Sequence, residues 1–403
     1  MSDYQVSIYD IKDNNDDWFK YKNFKSTDFV YFSSSLAHSE MSLGLCTEIY
    51  SIKSELNNEH LQQVNLELKK KKYASNPFED EMSIESKSVK NVKDAFSDTY
   101  KDSNFVSRAA YKLWEVLKEN KRLINKNGNT LHIAEAPGSF AQCTSLYMNK
   151  YHENKNDTTH YIISISENIG GIPMDNTIIK EKKYKVISNM EKSITQKFNG
   201  DLTNPSDLDE IKGYLKEKFS FITADGGKDV QNKNFQEQEQ YSLIFSEMLV
   251  AITHQEEGGC FVLKLFDSFT TLTLKFIAIL GSLYKRVYIH KPFMSRASNS
   301  EKYLVCENFQ GIKKEQIDWL TKLHKEIYEG EKKNYYWNNL IPDWDLTEEY
   351  RSLFAVINKK ILINQYNAIH AKKELLVKKT VSKSMIDEQI KATKFWTKKY
   401  LGD

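Results

Sequence analysis

Apolar and polar positions along this chain change rhythm near Asn104. Before that point the pattern is mixed. Tyr4 to Ile11 and Phe29 to Phe32 predict short strands, and Ser51 to Lys72 predicts a helix with Leu56, Leu61, Val64 and Leu68 on one side. Asn76-Pro-Phe-Glu-Asp-Glu ends that helix. Beyond Asn104 the spacing sharpens. Ser107 to Asn120 repeats at the helical period, with Ala110, Leu113, Trp114 and Leu117 on the buried face. Short apolar runs predict strands at Thr130 to Ala134, Tyr161 to Ile165, Phe219 to Thr223, Cys260 to Leu265, Arg286 to His290 and Tyr303 to Glu307. Helical spacing returns between them at Ser139 to Tyr151, Tyr241 to Thr253 and Thr271 to Leu283. After about Gly311 the chain reads as helix again, with Tyr350, Phe354, Ile357, Ile361 and Leu362 as an apolar stripe.

Strands alternating with helices predict an α/β fold, a largely parallel sheet covered on both faces. Ligands of such sheets bind at the carboxyl ends of the strands. The boundaries that follow are an accessory region over residues 1–100, the α/β domain over 101–310, and a helical C-terminal extension over 311–403.

Composition changes this picture little. With 403 residues, 40% hydrophobic and 28% charged, the chain can bury a full core. The net charge of +2 excludes a polycation, but charge is uneven: Ala371 to Lys399 holds nine lysines against Glu374, Asp387 and Glu388. A solvated helix face is the plain reading of that tail and of Lys69 to Lys72, and a contact with nucleic acid is the alternative. Cys46, Cys143, Cys260 and Cys306 form no C-x-x-C pair and no histidine stands at ligand spacing, so four reduced thiols are expected and no metal. The N-terminus lacks a signal-peptide pattern, and Lys264, Asp267 and Lys275 interrupt the most apolar stretch. An intracellular protein without a membrane partner is expected, cytoplasmic, nuclear or carried in a virion.

Four segments carry candidate chemistry. Lys112 lies in Ser107-Arg-Ala-Ala-Tyr-Lys-Leu, Asp225 in Phe221-Ile-Thr-Ala-Asp-Gly-Gly, Lys264 in Phe261-Val-Leu-Lys-Leu-Phe, and Glu301 in Ser298-Asn-Ser-Glu-Lys-Tyr. The turn Glu135-Ala-Pro-Gly-Ser-Phe140 joins a predicted strand to a predicted helix, where Gly138 permits close backbone approach and the helix start offers free amides. It lacks the glycine spacing of a dinucleotide fingerprint and the Gly-Lys-Ser/Thr of a phosphate loop, which excludes the usual NAD and ATP motifs. Two lysines and two carboxylates around such a turn suit the activation of a sugar hydroxyl.

Ala136-Pro-Gly-Ser-Phe140 resembles the Ala-Pro-Gly-Gly-Phe/Trp turn of the FtsJ-like RNA 2′-O-ribose methyltransferases, and the four segments resemble that family's Lys, Asp, Lys and Glu motifs in order. The resemblance runs over about residues 104 to 309 and is nearest to the mRNA cap branch, which includes proteins of large DNA viruses. It implies a Rossmann-like class I methyltransferase domain with a mostly parallel seven-stranded sheet and an antiparallel closing strand. It also implies S-adenosylmethionine as cofactor and methylation of a ribose 2′-hydroxyl beside an mRNA cap. Lys264, its pKa lowered by burial, would steer the proton; Asp225 and Glu301 would tune the lysines; Lys112 would hold ribose or phosphate.

For the cofactor the resemblance nominates Glu135, Ala136, Pro137, Gly138, Ser139, Phe140 and Asp225, with Asp201 of Asn199-Gly-Asp at the adenine and Glu167 at the ribose hydroxyls. Two departures stand out: Ser139 replaces the second glycine, and His132 replaces an acidic residue for which Glu135 would compensate. Arg108, Lys228, Lys291 and Arg296 are candidates for RNA phosphates, and Tyr335, Tyr336, Trp337 and Trp344 for a stacked base. The implied partners are RNA with a capped 5′ end and other proteins of the capping machinery. Methylation of internal rRNA or tRNA, and a non-catalytic RNA-binding scaffold, are the alternatives.

Overall fold

The computed structural model describes residues 6–11, 30–36, 39–56, 62–64, 92–101, 103–124, 128–152, 158–187, 199–228, 230, 233–341, 344–378 and 383–402. Its centre is an eight-stranded sheet. In chain order the strands are β1 (Ser7–Asp10), β3 (Thr130–Ile133), β4 (His160–Ile163), β5 (Tyr184–Val186), β6 (Phe219–Ala224), β7 (Gln255–Leu265), β8 (Tyr284–Lys291) and β9 (Lys302–Phe309). Across the sheet they run β1-β8-β9-β7-β6-β3-β4-β5. The neighbours from β7 to β5 pair in parallel, whereas β9 lies antiparallel between β7 and β8. Seven of the eight strands therefore form the expected sheet with its closing strand, and β1 adds an antiparallel edge to β8. The sequence pattern missed β5, which has only three residues, Tyr-Lys-Val.

Period-two alternation assigns each strand's side chains to two packed layers. Phe261, Leu263 and Leu265 of β7 join one core, with Ile222 of β6 and Leu304 of β9. That core is closed by α7 (Tyr241–His254), α8 (Thr271–Leu283), α9 (Lys314–Lys332) and α10 (Glu348–Lys378). Cys260 and Val262 of β7 point the other way, with Phe221, Tyr303 and Val305. Opposite them pack α2 (Val92–Thr99), α3 (Ala109–Glu119), α4 (Ser139–Tyr151) and α11 (Lys383–Tyr400). Lys264 shares the alternation of Cys260 and Val262, so the fold delivers it to the side where α3 lies.

Both terminal regions are woven into this body. Besides β1, the first hundred residues give β2 (Val30–Ser33), which pairs with β10 (Tyr336–Leu340), and α1 (Leu43–Leu56), which packs on α10. The helix expected from Ser51 thus begins eight residues earlier, at Leu43, and the segment expected at 65–72 lies outside the described residues, as does the Asn76-Pro break. The C-terminal extension is not wholly helical, since β10 interrupts it.

The lysine-rich tail has the solvated face expected of it and also a buried face that the sequence reading did not name. Ala392, Trp396 and Tyr400 of α11 are at most 1% exposed. Trp396 meets Tyr111 edge to face at 6.1 Å, and the Trp114 indole donates to the Tyr400 carbonyl at 3.0 Å. The lysines face solvent while the opposite stripe completes the core behind α3, because an amphipathic helix buries its apolar side whatever its charge count. Trp337 and Trp344 are core residues, whereas Tyr335 and Tyr336 stay exposed. All four cysteines are free and buried.

Candidate active site

Strand register brings the predicted catalytic residues together. Ala224 of β6 pairs with Leu263 of β7, so Asp225 leaves the sheet beside Lys264. Antiparallel pairing of Leu265 with Lys302 then sets Glu301, one residue earlier, at the same end of the sheet. Lys112 arrives from α3 above that face. Its Nζ lies 2.6 Å from Glu301 Oε1, and Lys264 Nζ lies 3.2 Å from Asp225 Oδ1. Lys264 also donates to the Asp225 carbonyl at 2.6 Å, and the Tyr303 hydroxyl donates to Asp225 Oδ1 at 3.2 Å. Tyr303 is the cross-strand neighbour of Lys264, so its place follows from the same register; the motif reading passed over it.

The electrostatics correct one expectation. Burial does act to lower the pKa of Lys264, but the carboxylates of Asp225, Glu301 and Glu247 outweigh it, and the amine sits above its ordinary value. Glu301 is the converse case. Burial would raise it, yet Lys112, Lys264 and Lys291 hold it at about 2. In the unliganded protein these residues are therefore two alternating ion pairs, and Lys264 carries its proton.

Beside them opens a cleft of about 380 Å³, lined among others by Ala134, Ala136, Ile165, Asp201, Asp225 and Lys264. Ala136, Asp201 and Asp225 are thus the nominated cofactor residues that face it. Pattern reasoning overlooked other parts of the lining: Ser164, Gly170 to Ile172 and Leu243 of α7. These positions carry no charged signature, and only the sheet order gathers them.

Several nominated side chains point elsewhere. Glu135 turns back into the start of α4, where Oε1 accepts from the Phe140 amide at 2.5 Å and Oε2 from Ala141 at 3.4 Å. Burial pushes this carboxyl up to about 8. It caps the helix and does not reach the cleft. Ser139 accepts from the Ser107 hydroxyl at 2.8 Å, which ties the turn to the segment leading into α3. Phe140 is core, and Pro137, Gly138 and Glu167 lie outside the cleft lining. Gly138 has a left-handed φ of 115°, and a Cβ there would fall 2.6 Å from Ile178. Its close approach is to the protein's own chain.

His132 likewise has an internal role. Its ring bridges Thr223 at 2.8 Å and Thr130 at 2.9 Å within the sheet, and burial holds it neutral. Among the candidates for RNA phosphates, Lys228 donates to Ser242 at the cleft edge, Arg108 and Arg296 are half-buried, and Lys291 is enclosed by its own loop.

A parallel sheet whose last strand inserts antiparallel, with a cleft at the strand ends lined by Asp225 and Lys264 and the Lys112–Glu301 pair beside them, defines a methyltransferase architecture. The FtsJ-like methyltransferase family matches residues 105–309, about half of the chain, and the chain belongs to that family. Among curated relatives, cap-specific mRNA (nucleoside-2′-O-)-methyltransferase 1 of Trypanosoma brucei brucei is 39% identical over 113 residues, 28% of this chain and 30% of that protein. Its Leishmania braziliensis namesake is 30% identical over 204 residues, 49% of each chain. Cap-specific mRNA (nucleoside-2′-O-)-methyltransferase 2 of Drosophila melanogaster is 26% identical over 231 residues, 56% of this chain and 32% of that one. The chain spans half or less of the length of these relatives. Among the described residues no helix is long and apolar enough to cross a membrane.

Proposed function

We propose that this protein transfers a methyl group from S-adenosylmethionine to a ribose 2′-hydroxyl of RNA, at the nucleotide next to an mRNA cap. The observation that carries the reading is the convergence of two ion pairs, Lys112–Glu301 and Lys264–Asp225, the second of which lines the cleft. The lining suits the cofactor. Ile165, Ile172, Leu202 and Leu243 offer an apolar wall for a base, Asp201 an acceptor, and Asp225 a carboxylate for a cationic centre. The bound cofactor supplies an electrophilic methyl on a sulfonium.

The protein's part is to place and deprotonate the nucleophile. The residues of this chain would orient the 2′-hydroxyl toward that methyl and provide for the proton it must lose. Lys264 holds its own proton in the free protein, so it first acts as a donor that fixes the 2′-oxygen. A second positive charge in the cleft would disfavour the lysine's charged form, so that the ammonium releases a proton to solvent and the neutral amine then accepts the ribose proton. Glu301, pinned as an anion by Lys112, keeps that amine in place. The relatives' names support the cap-adjacent position, and the catalytic residues lie in 101–310, with regions 1–100 and 311–403 as additions that pack into the same body.

Labelled S-adenosylmethionine with matched capped and uncapped RNAs, followed by nucleoside analysis, tests the reading. Label is expected in a 2′-O-methylnucleoside adjoining the cap. Label in a base overturns the chemistry, and equal labelling of uncapped RNA moves the substrate to internal positions.

A further inference from the structure

The loop between β8 and β9 carries Glu301, and its interior is organised by one amine. Lys291 Nζ lies 2.7 Å from the Glu301 carbonyl, 2.8 Å from the Asn299 carbonyl and 2.9 Å from Asn299 Oδ1. It also lies 3.1 Å from the Arg296 carbonyl and 3.2 Å from Ser295 Oγ. Burial pulls this amine down to about 7 against the pull of Glu301. Near neutral pH its two or three hydrogens are therefore shared among these five acceptors, and the loop wraps the amine as a cage. A second clamp acts from outside. Glu115 of α3 accepts from the Phe293 amide at 2.7 Å and the Met294 amide at 2.9 Å. Glu115 stands one helical turn after Lys112, so the same helix face grips the loop's start and meets Glu301 at its end.

Without a central donor the carbonyls of residues 296, 299 and 301 would be left without a partner there, which costs free energy for each unsatisfied acceptor. The lysines on either side of Glu301 in space and sequence are engaged elsewhere: Lys112 pairs with the Glu301 carboxylate and Lys302 turns to the Phe266 carbonyl. The Gln365 amide of α10 adds a 3.4 Å contact to the Ser298 carbonyl at the loop's tip.

We propose that Lys291 is a positioning residue for Glu301: its amine, donating to the carbonyls of the β8–β9 loop, gathers them and so aims the Glu301 carboxylate at Lys112 and the reaction centre. The proposal rests on the methyltransferase reading for its catalytic consequence and on geometry alone for its structural one. It also withdraws Lys291 from the residues that could contact RNA phosphate.

The test has two readouts. In the first, the side-chain carboxyl of Glu301 is titrated by ¹³C NMR with no substrate present. The wild-type group titrates at about 2; in Lys291→Met it should return toward or above the ordinary carboxylate value of about 4.3 as Lys112 loses its partner. An unchanged Glu301 titration in a folded variant overturns the proposal even if the protein methylates nothing.

In the second, methyl transfer is measured in a double-mutant cycle. Lys291→Met should lower kcat by roughly 10²-fold, the scale of a small misplacement, with cofactor affinity retained. In a Glu301→Gln background the same change should cost less than about threefold, since both act through one carboxylate. Full additivity would assign Lys291 a role independent of Glu301 and overturn the proposal. Lys291→Gln, which keeps a donor for the carbonyls, should give intermediate values in both readouts. Failure of both variants to fold makes the cage a folding element and rejects its positioning role.

Discussion

Replacing Trp396 with alanine should destabilise the protein by about 3–5 kcal/mol, the range for truncating a fully buried aromatic. Trp396 is 0% exposed although it sits in a segment dense in lysine. Its ring contacts Tyr111 at 6.1 Å and Tyr400 at 5.3 Å, and its indole N–H donates to Glu115 Oε1 at 2.9 Å. That carboxyl also accepts the Phe293 and Met294 amides, so the loss reaches the loop that carries Glu301. The contributions separate in Trp396→Phe. It keeps most of the ring and deletes the N–H, at a cost of about 1–3 kcal/mol for a buried acceptor short of one donor. Urea unfolding followed by far-UV dichroism reads both, as a lower midpoint at unchanged slope. Deleting residues 383–402 should leave a chain that aggregates, because Trp114 and Phe96 lose their cover. The reasoning is refuted if Trp396→Ala shifts stability by less than about 1 kcal/mol, which would leave α11 undocked in solution.

Lys264→Ala should lower methyl transfer by roughly 10²–10⁴-fold while calorimetric cofactor affinity survives; near-normal turnover would remove the residue from the mechanism. Glu247→Gln should gain stability relative to wild type as pH rises. Burial pushes the Glu247 carboxyl up to about 8, against about 4.3 in an unfolded chain, so between those values only the folded state keeps the proton and rising pH costs the wild type stability. A pH-independent difference in unfolding free energy would refute that assignment. Gly138→Ala should cost about 1–3 kcal/mol through the Ile178 contact and the left-handed backbone, and a neutral melting temperature would show that the 174–178 segment moves aside freely.

The sequence by itself determined the alternation of elements and the order of the chemical motifs. Short apolar runs bounded by Gly and Pro, and an amphipathic α3, are local properties of the chain, so the strands from β3 to β9 other than β5 were legible within a few residues. The four catalytic candidates were legible because each sits at the end of such an element. Glu135 was named from its position in a turn, but which way a side chain leaves a turn depends on what packs against it, and the open amides of α4 took this one. The sign of the Lys264 shift also escaped the sequence. Burial alone predicts a lowered value, whereas three carboxylates from β6, α7 and the β8–β9 loop reverse it.

The tail shows the same limit most plainly. Nine lysines announce a solvated helix, and the sequence cannot say that Trp396 bonds Glu115 across 281 residues. Local sequence sets backbone propensity and periodicity. Burial, electrostatic field and hydrogen-bond partnership are sums over neighbours brought in by topology, and for Lys264, Glu115 and Lys291 those neighbours exist only once the sheet has closed.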